Sequence, residues 1–335
     1  MNKIGSSETI RETTFNFINV QQKRVSHKTF IKNSFLEWFV GFCEGDGSFI
    51  VSNKRLFFII NQKEEKVLYY IRANLGFGKV SKYSSYSRYI VADTGCIDRL
   101  ISIFNGNLVL NKTNARFVLW LQARNQYSTE EICYTGINKL VTFHKNGWLS
   151  GFTDAEGCFN AQKLKDTRYT LGFRIRLRFI LDQKGEYPLF EKCKFFLKSG
   201  SITNRQVVGP CTCLLKPFKT SSFNRPTKGT TLRIPCIPCI PLKYGSLCAL
   251  NMPLQKNLYH VPPSCMYRFT STHMKSHDIL CGYFKEYPLR TLKKVAFTRF
   301  TSLCYYIKNR QSLPWTGKVL LRIENLVKNL NSDKS

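Results

Sequence analysis

The stretch WFVGFCEGDGSF at residues 38–49 occurs again, in changed form, as WLSGFTDAEGCF at residues 148–159. Both copies place an aromatic residue first, then Gly-Phe, two acids separated by one small residue, a glycine and a phenylalanine. The apolar character of each copy up to its last acid is typical of a short buried helix. The repeat therefore predicts two matched helices that end at Asp46 and Glu156.

Small residues repeat at helical spacing within both copies. Gly41 and Gly45 lie four residues apart in the first copy, and Gly151 and Ala155 do so in the second. A stripe of small residues lets two helix backbones approach closely. We therefore expect the two helices to pack on each other along these stripes, about a pseudo-twofold axis.

Residues around both copies predict where the helices start and stop. Ser34 with Glu37 has the spacing of a capping box, in which each side chain bonds an exposed backbone N–H group at a helix start. Asn146 is a weaker N-cap candidate for the second helix. Gly47 and Gly157 are predicted to end the helices in the left-handed conformation.

Packing of the two helices would bring their last acids, Asp46 and Glu156, together at one end of the pair. The negative ends of the helix dipoles disfavour carboxylates there, and the two carboxylates also repel each other. Divalent cations would relieve both conflicts. The alternative, that the acids are solvated helix ends, is ordinary for one copy but explains two matched copies poorly.

The nine-residue blocks FVGFCEGDG (39–47) and LSGFTDAEG (149–157) resemble the two motifs of a single-chain LAGLIDADG homing endonuclease. The resemblance covers about residues 31–125 and 145–330, apart from an insertion. It implies an α+β fold of two pseudo-symmetric αββαββα-type halves, with the motif helices packed at their interface. It also implies two antiparallel sheets that form a saddle over double-stranded DNA.

The same resemblance assigns metal chemistry to the motif ends. It implies that the last acid of each motif binds Mg²⁺ and that backbone carbonyls beside it contribute. The residues assigned here as metal ligands are Asp46, Glu156, Gly45 and Ala155. Glutamate in the second copy departs from the family pattern but keeps the hard oxygen ligand that Mg²⁺ requires. The earlier acids, Glu44 and Asp154, fall where the family places no metal ligand.

The internal repeat continues beyond the motifs. Each copy is followed by a hairpin pattern and a Gln-Lys pair, which begins at Gln62 in the first half and at Gln183 in the second. Farther on, LVLNK ends at Lys112 and LRTLK ends at Lys293. By resemblance, the glutamines would orient water and the lysines would stabilise the charge that develops during phosphodiester hydrolysis. A lysine at a helix start in a DNA-binding protein is also an ordinary phosphate contact.

The spacing of these repeats predicts the domain organisation. The glutamine and the lysine are 50 residues apart in the first half (62 to 112) but 110 apart in the second (183 to 293), so about 60 residues are extra. The predicted parts are a flexible leader at 1–30, a first domain at 31–125, a linker at 126–144, and a second domain at 145–332 with an irregular insertion at about 206–264.

The insertion is rich in Pro, Cys, Ser and Thr and lacks periodicity, which favours a loosely packed surface segment. Its Cys236 and Cys239 form a CxxC pair, and His273 and His277 form an HxxxH pair, so a zinc site is open as an alternative. The stretch between the two pairs is far longer than that of a zinc finger. The surface insertion is therefore the favoured interpretation.

The clearest candidate DNA-binding element is FRIRLRF at residues 173–179. Its apolar residues alternate with arginines at the period of a β-strand, so the three guanidinium groups share one face. Such a face is suited to phosphates or to the N7 and O6 edge of guanine. The alternative is that the three guanidinium groups only contact solvent. The residues predicted to contact DNA are Arg174, Arg176, Arg178 and Lys163 in the second half and Lys54 and Arg55 in the first.

Composition agrees with a nucleic-acid-binding protein. The 335 residues include 51 Lys and Arg against 21 Asp and Glu, for a formal net charge of +30, which suits a polyanionic partner. No apolar run approaches the ~18 residues needed to span a bilayer, so we expect no membrane insertion. An odd count of 13 cysteines without a signal peptide favours reduced thiols over a disulfide framework.

These features predict an intron-encoded, site-specific endonuclease that makes a staggered double-strand break in DNA with Mg²⁺ and so promotes intron mobility. By resemblance to the single-chain type, we expect a monomer. The 26 Phe and 16 Tyr, with abundant Lys, Asn and Ile, suggest AT-rich coding and a mitochondrial location, with the chloroplast as the alternative. Two other functions stay open: an RNA maturase that binds its host intron RNA, and a DNA-binding regulator that does not cut. The intact acids favour cleavage.

Overall fold

The computed structural model of the protein describes residues 14–205, 265–312 and 314–332, which contain two similar halves. The first half consists of α1 (Ile18–Gln22), α2 (Asn33–Asp46), β1 (Gly47–Ser52), β2 (Arg55–Gln62), α3 (Glu65–Leu75), β3 (Lys79–Lys82), β4 (Ser87–Val91), α4 (Thr94–Phe104) and α5 (Asn111–Gln126). The second consists of α6 (Trp148–Glu156), β5 (Gly157–Lys165), β6 (Phe173–Lys184), α7 (Tyr187–Leu197), β7 (Ser201–Arg205), β8 (Met266–Ser271), α8 (Met274–Glu286), α9 (Lys293–Lys308) and α10 (Gly317–Lys328). Among these helices, none is long and apolar enough to cross a membrane.

The two halves repeat one order of elements. From the motif helix onward, each half runs helix, two strands, helix, two strands and two helices, and the second half ends with a further helix, α10. The predicted α+β fold with two pseudo-symmetric halves is confirmed, and each half carries two helices more than the expected αββαββα pattern, α1 and α5 in the first half and α9 and α10 in the second. The segment 206–264, which is predicted as an insertion, lies outside the described residues.

Each half contains one four-stranded antiparallel sheet. The strand orders are β1-β2-β4-β3 and β5-β6-β8-β7. The hairpin after each motif helix pairs two phenylalanines across its strands, Phe49 with Phe58 in the first half and Phe159 with Phe179 in the second. These rings contact aromatic residues of α4 in the first half and of α8 and α9 in the second. One face of each sheet therefore packs on helices, and the opposite face, called the outer face below, is turned away from them.

The motif helices α2 and α6 pack against each other at backbone distance. A Cβ built on Gly41 would lie 2.1 Å from the carbonyl oxygen of Trp148, and one built on Gly151 would lie 1.8 Å from that of Trp38. No side chain fits at such distances, so glycine is required at both positions. The close approach predicted from the small-residue stripes is confirmed.

The capping box predicted at Ser34 and Glu37 is wrong. Helix α2 begins at Asn33, after Lys32, and no side chain caps it. The buried carboxylate of Glu37 instead accepts a hydrogen bond at 2.9 Å from the backbone N–H of Gly147, the N-cap residue of α6. A carboxylate of one motif helix therefore caps the other.

The ends of the motif helices differ in part from expectation. The side chain of Asn146 accepts a bond from the N–H of Trp148 at 3.2 Å. Asn146 precedes the N-cap residue Gly147, so it caps the start of α6 from one position earlier than predicted. The left-handed conformation predicted at Gly47 and Gly157 is wrong, since their φ angles of −78° and −75° are extended. Glycine is needed there for space, because a Cβ on Gly47 would lie 2.5 Å from the carbonyl oxygen of Cys43.

The described part of the predicted flexible leader, residues 14–30, packs on the first half. Its fully buried side chains are those of Phe15, Phe17 and Val20. Asn16 and Asn107 exchange two hydrogen bonds of 2.9 Å, which tie this segment to the end of α4. The prediction of a flexible leader is therefore wrong for these residues, because three apolar side chains anchor a segment of otherwise polar composition.

Candidate active site at the helix interface

The two motif acids meet where α2 and α6 end. Asp46 is the last residue of α2, and Glu156 is the last residue of α6. A Cβ built on Gly45 would lie 3.0 Å from Cγ of Glu156, so the second acid lies over the end of the first helix. Burial, together with the negative charge of Glu156, raises the pKa of Asp46 from 3.8 to about 6. Burial also raises the pKa of Glu156.

Lys293, the first residue of α9, places its ammonium group in the same site. Its Nζ donates to the carbonyl oxygens of Ala155 at 2.8 Å and of Thr153 at 3.1 Å. Burial lowers the pKa of Lys293, whereas nearby carboxylates, Asp154 first among them, oppose that shift. The site therefore attracts a cation, and one carbonyl predicted to bind metal, that of Ala155, contacts the lysine.

The two glutamines of the repeat are placed differently. Nε2 of Gln62 donates to Oδ2 of Asp46 at 2.5 Å, so this side chain lies in the site. Gln183 has the same position in the other sheet, but its Oε1 accepts a bond from the backbone N–H of Lys184 at 3.1 Å. Gln62 therefore contacts a motif acid, whereas the side chain of Gln183 contacts the backbone of the next residue.

Lys112, the second residue of α5, lies close to Glu156. Its positive charge, after that of Lys293, lowers the pKa of Glu156 against the raising effect of burial. Its backbone N–H donates to the carboxylate of Glu186 at 3.2 Å. Both predicted lysines thus lie in the first turn of a helix that starts near the motif acids.

The earlier acid of each motif has a structural role. Nε1 of Trp148 donates to Glu44 at 2.6 Å, and Nε1 of Trp38 donates to Asp154 at 2.8 Å. Both bonds cross between the halves. Each carboxylate also accepts from backbone N–H groups, which are those of Val109 and Leu110 for Glu44 and those of Arg290 and Thr291 for Asp154. Each acid therefore joins the two halves through its tryptophan and also holds a backbone segment of its own half.

The residues at the helix ends fit a divalent cation with hard ligands. Two partly desolvated carboxylates, Asp46 and Glu156, lie close enough for the charge of Glu156 to raise the pKa of Asp46, and the charge of Lys293 acts on both carboxylates. Mg²⁺ in proteins takes one or two carboxylates and completes its shell with water and substrate phosphates. In the described ranges, no three His, Cys, Asp or Glu side chains form a metal-binding group. An ion here would therefore draw further oxygen ligands from water and phosphate.

The histidines considered for zinc are used otherwise. His273 is the N-cap residue of α8, and its Nδ1 accepts from the N–H of Lys275 at 3.3 Å. His277 is fully buried, with Nε2 at 3.2 Å from a backbone carbonyl oxygen of β8. Cys236 and Cys239 lie outside the described residues. The histidines belong to the start and the buried side of one helix, which disfavours the zinc alternative.

The outer face of the second sheet carries the three predicted arginines. In β6, Arg174 and Arg176 are exposed and Arg178 is half-buried, whereas Leu177 and Phe179 of the opposite face are buried. The alternation predicted from FRIRLRF is confirmed. Contact of these arginines with DNA stays a prediction.

The same face holds an ion pair that sequence reasoning misses. Arg268 of β8 donates to both carboxylate oxygens of Asp182 in β6, at 2.7 and 2.5 Å, and the two residues pair across the strands. At the matching place in the first sheet, Arg88 donates to Asn61 at 2.9 Å. The internal repeat marks both positions, because each acceptor immediately precedes the glutamine of its half.

Lys163 does not share the arginine face, which corrects that prediction. It pairs with Ile175 across β5 and β6, so its side chain lies on the helix side of the sheet. Its Nζ bonds to Glu324 of α10 at 2.6 Å and lies 4.0 Å from the centre of the Phe173 ring. The side chain therefore ties α10 to the sheet.

The basic residues of the first hairpin lie at its tip. Asn53 and Lys54 have positive φ angles of 49° and 60°, as in the two-residue turns that join antiparallel strands. Arg55 pairs with Ser52, and its guanidinium lies 5.5 Å from the centre of the Phe57 ring. Both predicted residues, Lys54 and Arg55, are exposed, as contact with a partner requires.

Comparison with known proteins gives a consistent result. The family model described as LAGLIDADG endonuclease matches residues 39–124 and 149–221. The probable intron-encoded endonuclease 4 of Neurospora crassa is 39% identical over 183 residues, which cover 52% of this chain and 33% of that protein. An uncharacterized cox1 intron-2 37.2 kDa protein of Schizosaccharomyces pombe is 27% identical over 189 residues, which cover 55% of this chain and 57% of that protein. The chain thus spans about a third to somewhat over half of the length of these relatives.

Solved structures share the fold at low identity. The LAGLIDADG homing endonuclease I-SmaMI bound to cleaved DNA has a TM-score of 0.60 at 14% identity, over 90% of this chain and 98% of that chain. The LAGLIDADG meganuclease I-AabMI bound to uncleaved DNA has a TM-score of 0.58 at 17% identity, over 88% and 99%. I-SmaMI bound to an uncleaved DNA target in the presence of calcium ions has a TM-score of 0.57 at 14% identity, over 88% and 98%. These likenesses show the fold.

Proposed function

We propose that this chain, which belongs to the LAGLIDADG endonuclease family, is a site-specific enzyme that hydrolyses both strands of a DNA target with a divalent metal. The observation that carries the proposal is the pair of motif acids, Asp46 and Glu156, half-buried together at the ends of two packed helices. Burial and mutual repulsion both disfavour charged carboxylates. Two carboxylates placed together at helix ends would not stabilise a fold. They would, however, bind cations that act on a phosphodiester.

Mg²⁺ is the cation that suits this site. Asp46 and Glu156 would hold it, with the carbonyl oxygens of Gly45 and Ala155 as further ligands. When bound, the metal would activate the attacking water and neutralise charge on the scissile phosphate. The position of the Lys293 ammonium, 2.8 Å from the Ala155 carbonyl oxygen, supports a place for positive charge there.

The remaining site residues would act on water and on the reacting phosphate. Gln62 is held by Asp46 and would orient a water molecule on its side of the site. Gln183 would do the same in the second half once its side chain leaves the backbone of Lys184. Lys112 and Lys293 place positive charge where negative charge develops in the transition state, which is the most effective use of a fixed charge in catalysis.

The outer faces of the two sheets would bind double-stranded DNA. Guanidinium groups bind phosphates and the guanine edge in a two-pronged geometry, which suits Arg174, Arg176 and Arg178. Lys54 and Arg55 would contribute from the tip of the first hairpin. The net charge of +30 supports a polyanionic partner. Because one chain supplies both halves, we propose that it acts as a monomer.

The biological role we propose is intron mobility in the mitochondrion. One relative is named as a probable intron-encoded endonuclease, and another is named after a cox1 intron. A staggered cut in an intronless copy of the host gene would let repair copy the intron into it. This proposed role rests on the names of relatives, whereas the proposed cleavage rests on the residues of the site.

A cleavage assay tests the proposed function. Purified protein is incubated with DNA that spans the intronless form of the gene hosting its coding sequence, with Mg²⁺ or with EDTA. We expect one staggered double-strand break with Mg²⁺ and none with EDTA. Binding of this DNA without a cut in Mg²⁺ would favour a regulator, and binding of the host intron RNA without DNA cleavage would favour a maturase. Either result would overturn the proposal.

A further inference from the structure

Two glutamates that follow the predicted glutamines reach across the interface between the halves. Glu64, just before α3, accepts a bond at 2.7 Å from the backbone N–H of Leu292 in the second half. Glu186, just before α7, accepts bonds of 3.2 Å from the backbone N–H of Lys112 and from the side chain of Asn111 in the first half. The contacts are reciprocal, because each acid serves the start of the helix that carries the lysine of the other half.

We propose that Glu64 and Glu186 are positioning residues, each of which fixes the lysine of the other half for DNA cleavage. Glu186 acts on Lys112 directly through its backbone. Glu64 acts on Lys293 through Leu292, the N-cap residue of α9. The inference rests on the proposed function, because it concerns the reaction in which the two lysines would take part.

The electrostatics of a helix start explain why an acid is useful there. The first N–H groups of a helix have no partner within it, and the positive end of the helix dipole disfavours a lysine in the first turn. Lys112 and Lys293 both lie in a first turn, and neither helix has an acid of its own there. A carboxylate from the other half offsets both costs. It therefore stabilises the lysine helix in one position.

Acids of the same half hold the residues that precede each lysine helix. Glu44 accepts from the two N–H groups just before α5, at 2.8 and 2.6 Å. Asp154 accepts from two N–H groups just before α9, at 2.7 and 3.3 Å. The groups that Glu186 and Glu64 bind, in residues 111, 112 and 292, follow these N–H groups in the sequence. Each lysine helix is thus clamped from both halves, so its lysine reaches its place when the halves dock.

The clamp on Lys112 is the more buried of the two. The Glu186 side chain is buried, with 3% of its surface exposed, and it bonds two residues of the first half. Glu64 is half-buried, and its bond to Leu292 lies in an exposed position. Replacement of Glu186 should therefore have the larger effect.

Strand-resolved cleavage kinetics separate positioning from general support of the fold. The two DNA strands are labelled separately, and both cuts are timed in Mg²⁺ for the wild type, Glu186→Ala and Glu64→Ala. We expect Glu186→Ala to slow one cut by about tenfold or more, as a small displacement of a catalytic group does, and to leave the other cut unchanged. Glu64→Ala should slow the opposite cut by a smaller factor. DNA affinity in Ca²⁺ and the thermal unfolding midpoint are measured for each variant.

Further variants link the effect to the lysine. Glu186→Gln keeps an acceptor oxygen and should recover part of the lost rate. The double variant Lys112→Ala/Glu186→Ala should be no slower than Lys112→Ala, because the glutamate acts through the lysine. Glu191→Ala is the matched control, because this residue of α7 bonds Tyr187 in an exposed position. It should cut both strands like the wild type.

Equal slowing of both cuts, or wild-type rates in Glu186→Ala, would overturn the inference while the proposed function stands, since the wild type would still cut. Multiplied losses in the double variant would overturn it as well, because the two residues would then act separately. A wild-type protein that binds its target but cuts neither strand would overturn the proposed function, and the inference would fall with it.

Discussion

The two halves of the molecule share one topology but differ in the chemistry of their outer faces. In the second sheet, β6 presents the arginines Arg174, Arg176 and Arg178. In the first sheet, β2 presents Arg55, Phe57 and Ile59 on the matching face. The helix interface, in contrast, is nearly symmetric in its glycines and acids. Packing at backbone distance constrains both halves alike, whereas the outer faces are free to differ in the groups that they present.

The paired positions next to the glutamines show the same contrast. Arg88 bonds the neutral amide of Asn61, so its positive charge stays uncompensated in that pair. Arg268 bonds the carboxylate of Asp182, which also lies 3.8 Å from Arg205. Geometry is thus matched in the two halves, but the local charge is not. Four predictions test this division into a matched interface and unmatched faces.

The largest expected effect concerns the matched interface. Gly151→Ala would place a Cβ 1.8 Å from the carbonyl oxygen of Trp38, so we expect the free energy of unfolding to fall by about 3 kcal/mol or more. Gly282→Ala in α8 is the matched control, because a Cβ there meets nothing within 4 Å, and it should stabilise by up to about 1 kcal/mol. Urea unfolding measures both. Equal stabilities would contradict the close packing of α2 and α6.

The second prediction concerns the arginine face. Replacing Arg174, Arg176 or Arg178 by alanine should cost about 1–3 kcal/mol of DNA binding where the residue contacts a base, and should relax preference at one or two base pairs. Lys163→Ala is the matched control on the opposite face and should keep wild-type affinity. Binding to target variants at fixed salt measures both properties. If the triple variant bound like the wild type, the second sheet would not be the DNA-binding face.

A smaller effect is expected at the charged pair of the second half. Asp182→Asn gives this half the amide that the first half has, and so leaves Arg268 uncompensated. We expect DNA affinity to rise and the slope of log affinity against log salt to steepen by about one, as for one added phosphate contact. The salt dependence of binding measures this change. A lower affinity would instead show that Asp182 is needed to orient Arg268.

The smallest effect is expected at the sheet edges. Strands β3 and β4 are joined by residues 83–86, whereas β7 and β8 are joined by residues 206–265 although their ends pair directly. Replacing 206–265 by a copy of 83–86 should preserve folding, DNA binding and cutting, because the entropy of loop closure changes only logarithmically with length. Circular dichroism and the cleavage assay check this. An unfolded or inactive product would make the longer segment an essential part of the second half.

Features that repeat within a short segment could be predicted from the sequence. The stripes that contain Gly41 and Gly151 follow the period of a helix, and the arginines of residues 173–179 follow the period of a strand. The acids Asp46 and Glu156 could be brought together because two matched helices packed on matched stripes must end at the same place. In each case, local geometry decides the outcome.

Features that depend on partners far along the chain could not be predicted. The sequence predicts that Lys163 contacts DNA together with the arginines, but the sheet face on which a residue lies depends on the strand register, which depends on the pairing across the turn. Glu37 has the spacing of a local cap, yet its partner Gly147 lies 110 residues away. The crossing bond of Glu64 joins residues 228 positions apart, and those of Glu186 join residues 74 and 75 positions apart. These hydrogen bonds can be identified only in a structure that contains both halves.

The central claim is that Asp46 and Glu156 serve the chemistry of one site shared by both halves, while DNA affinity comes from the outer faces. The most direct test measures strand cleavage in Mg²⁺ and DNA affinity in Ca²⁺ for Asp46→Asn and Glu156→Gln. We expect each variant to lose at least one strand cut while its affinity stays close to that of the wild type, because phosphate contacts are spread over a large surface. Loss of binding in proportion to loss of cutting, or full cleavage by both variants, would contradict the claim.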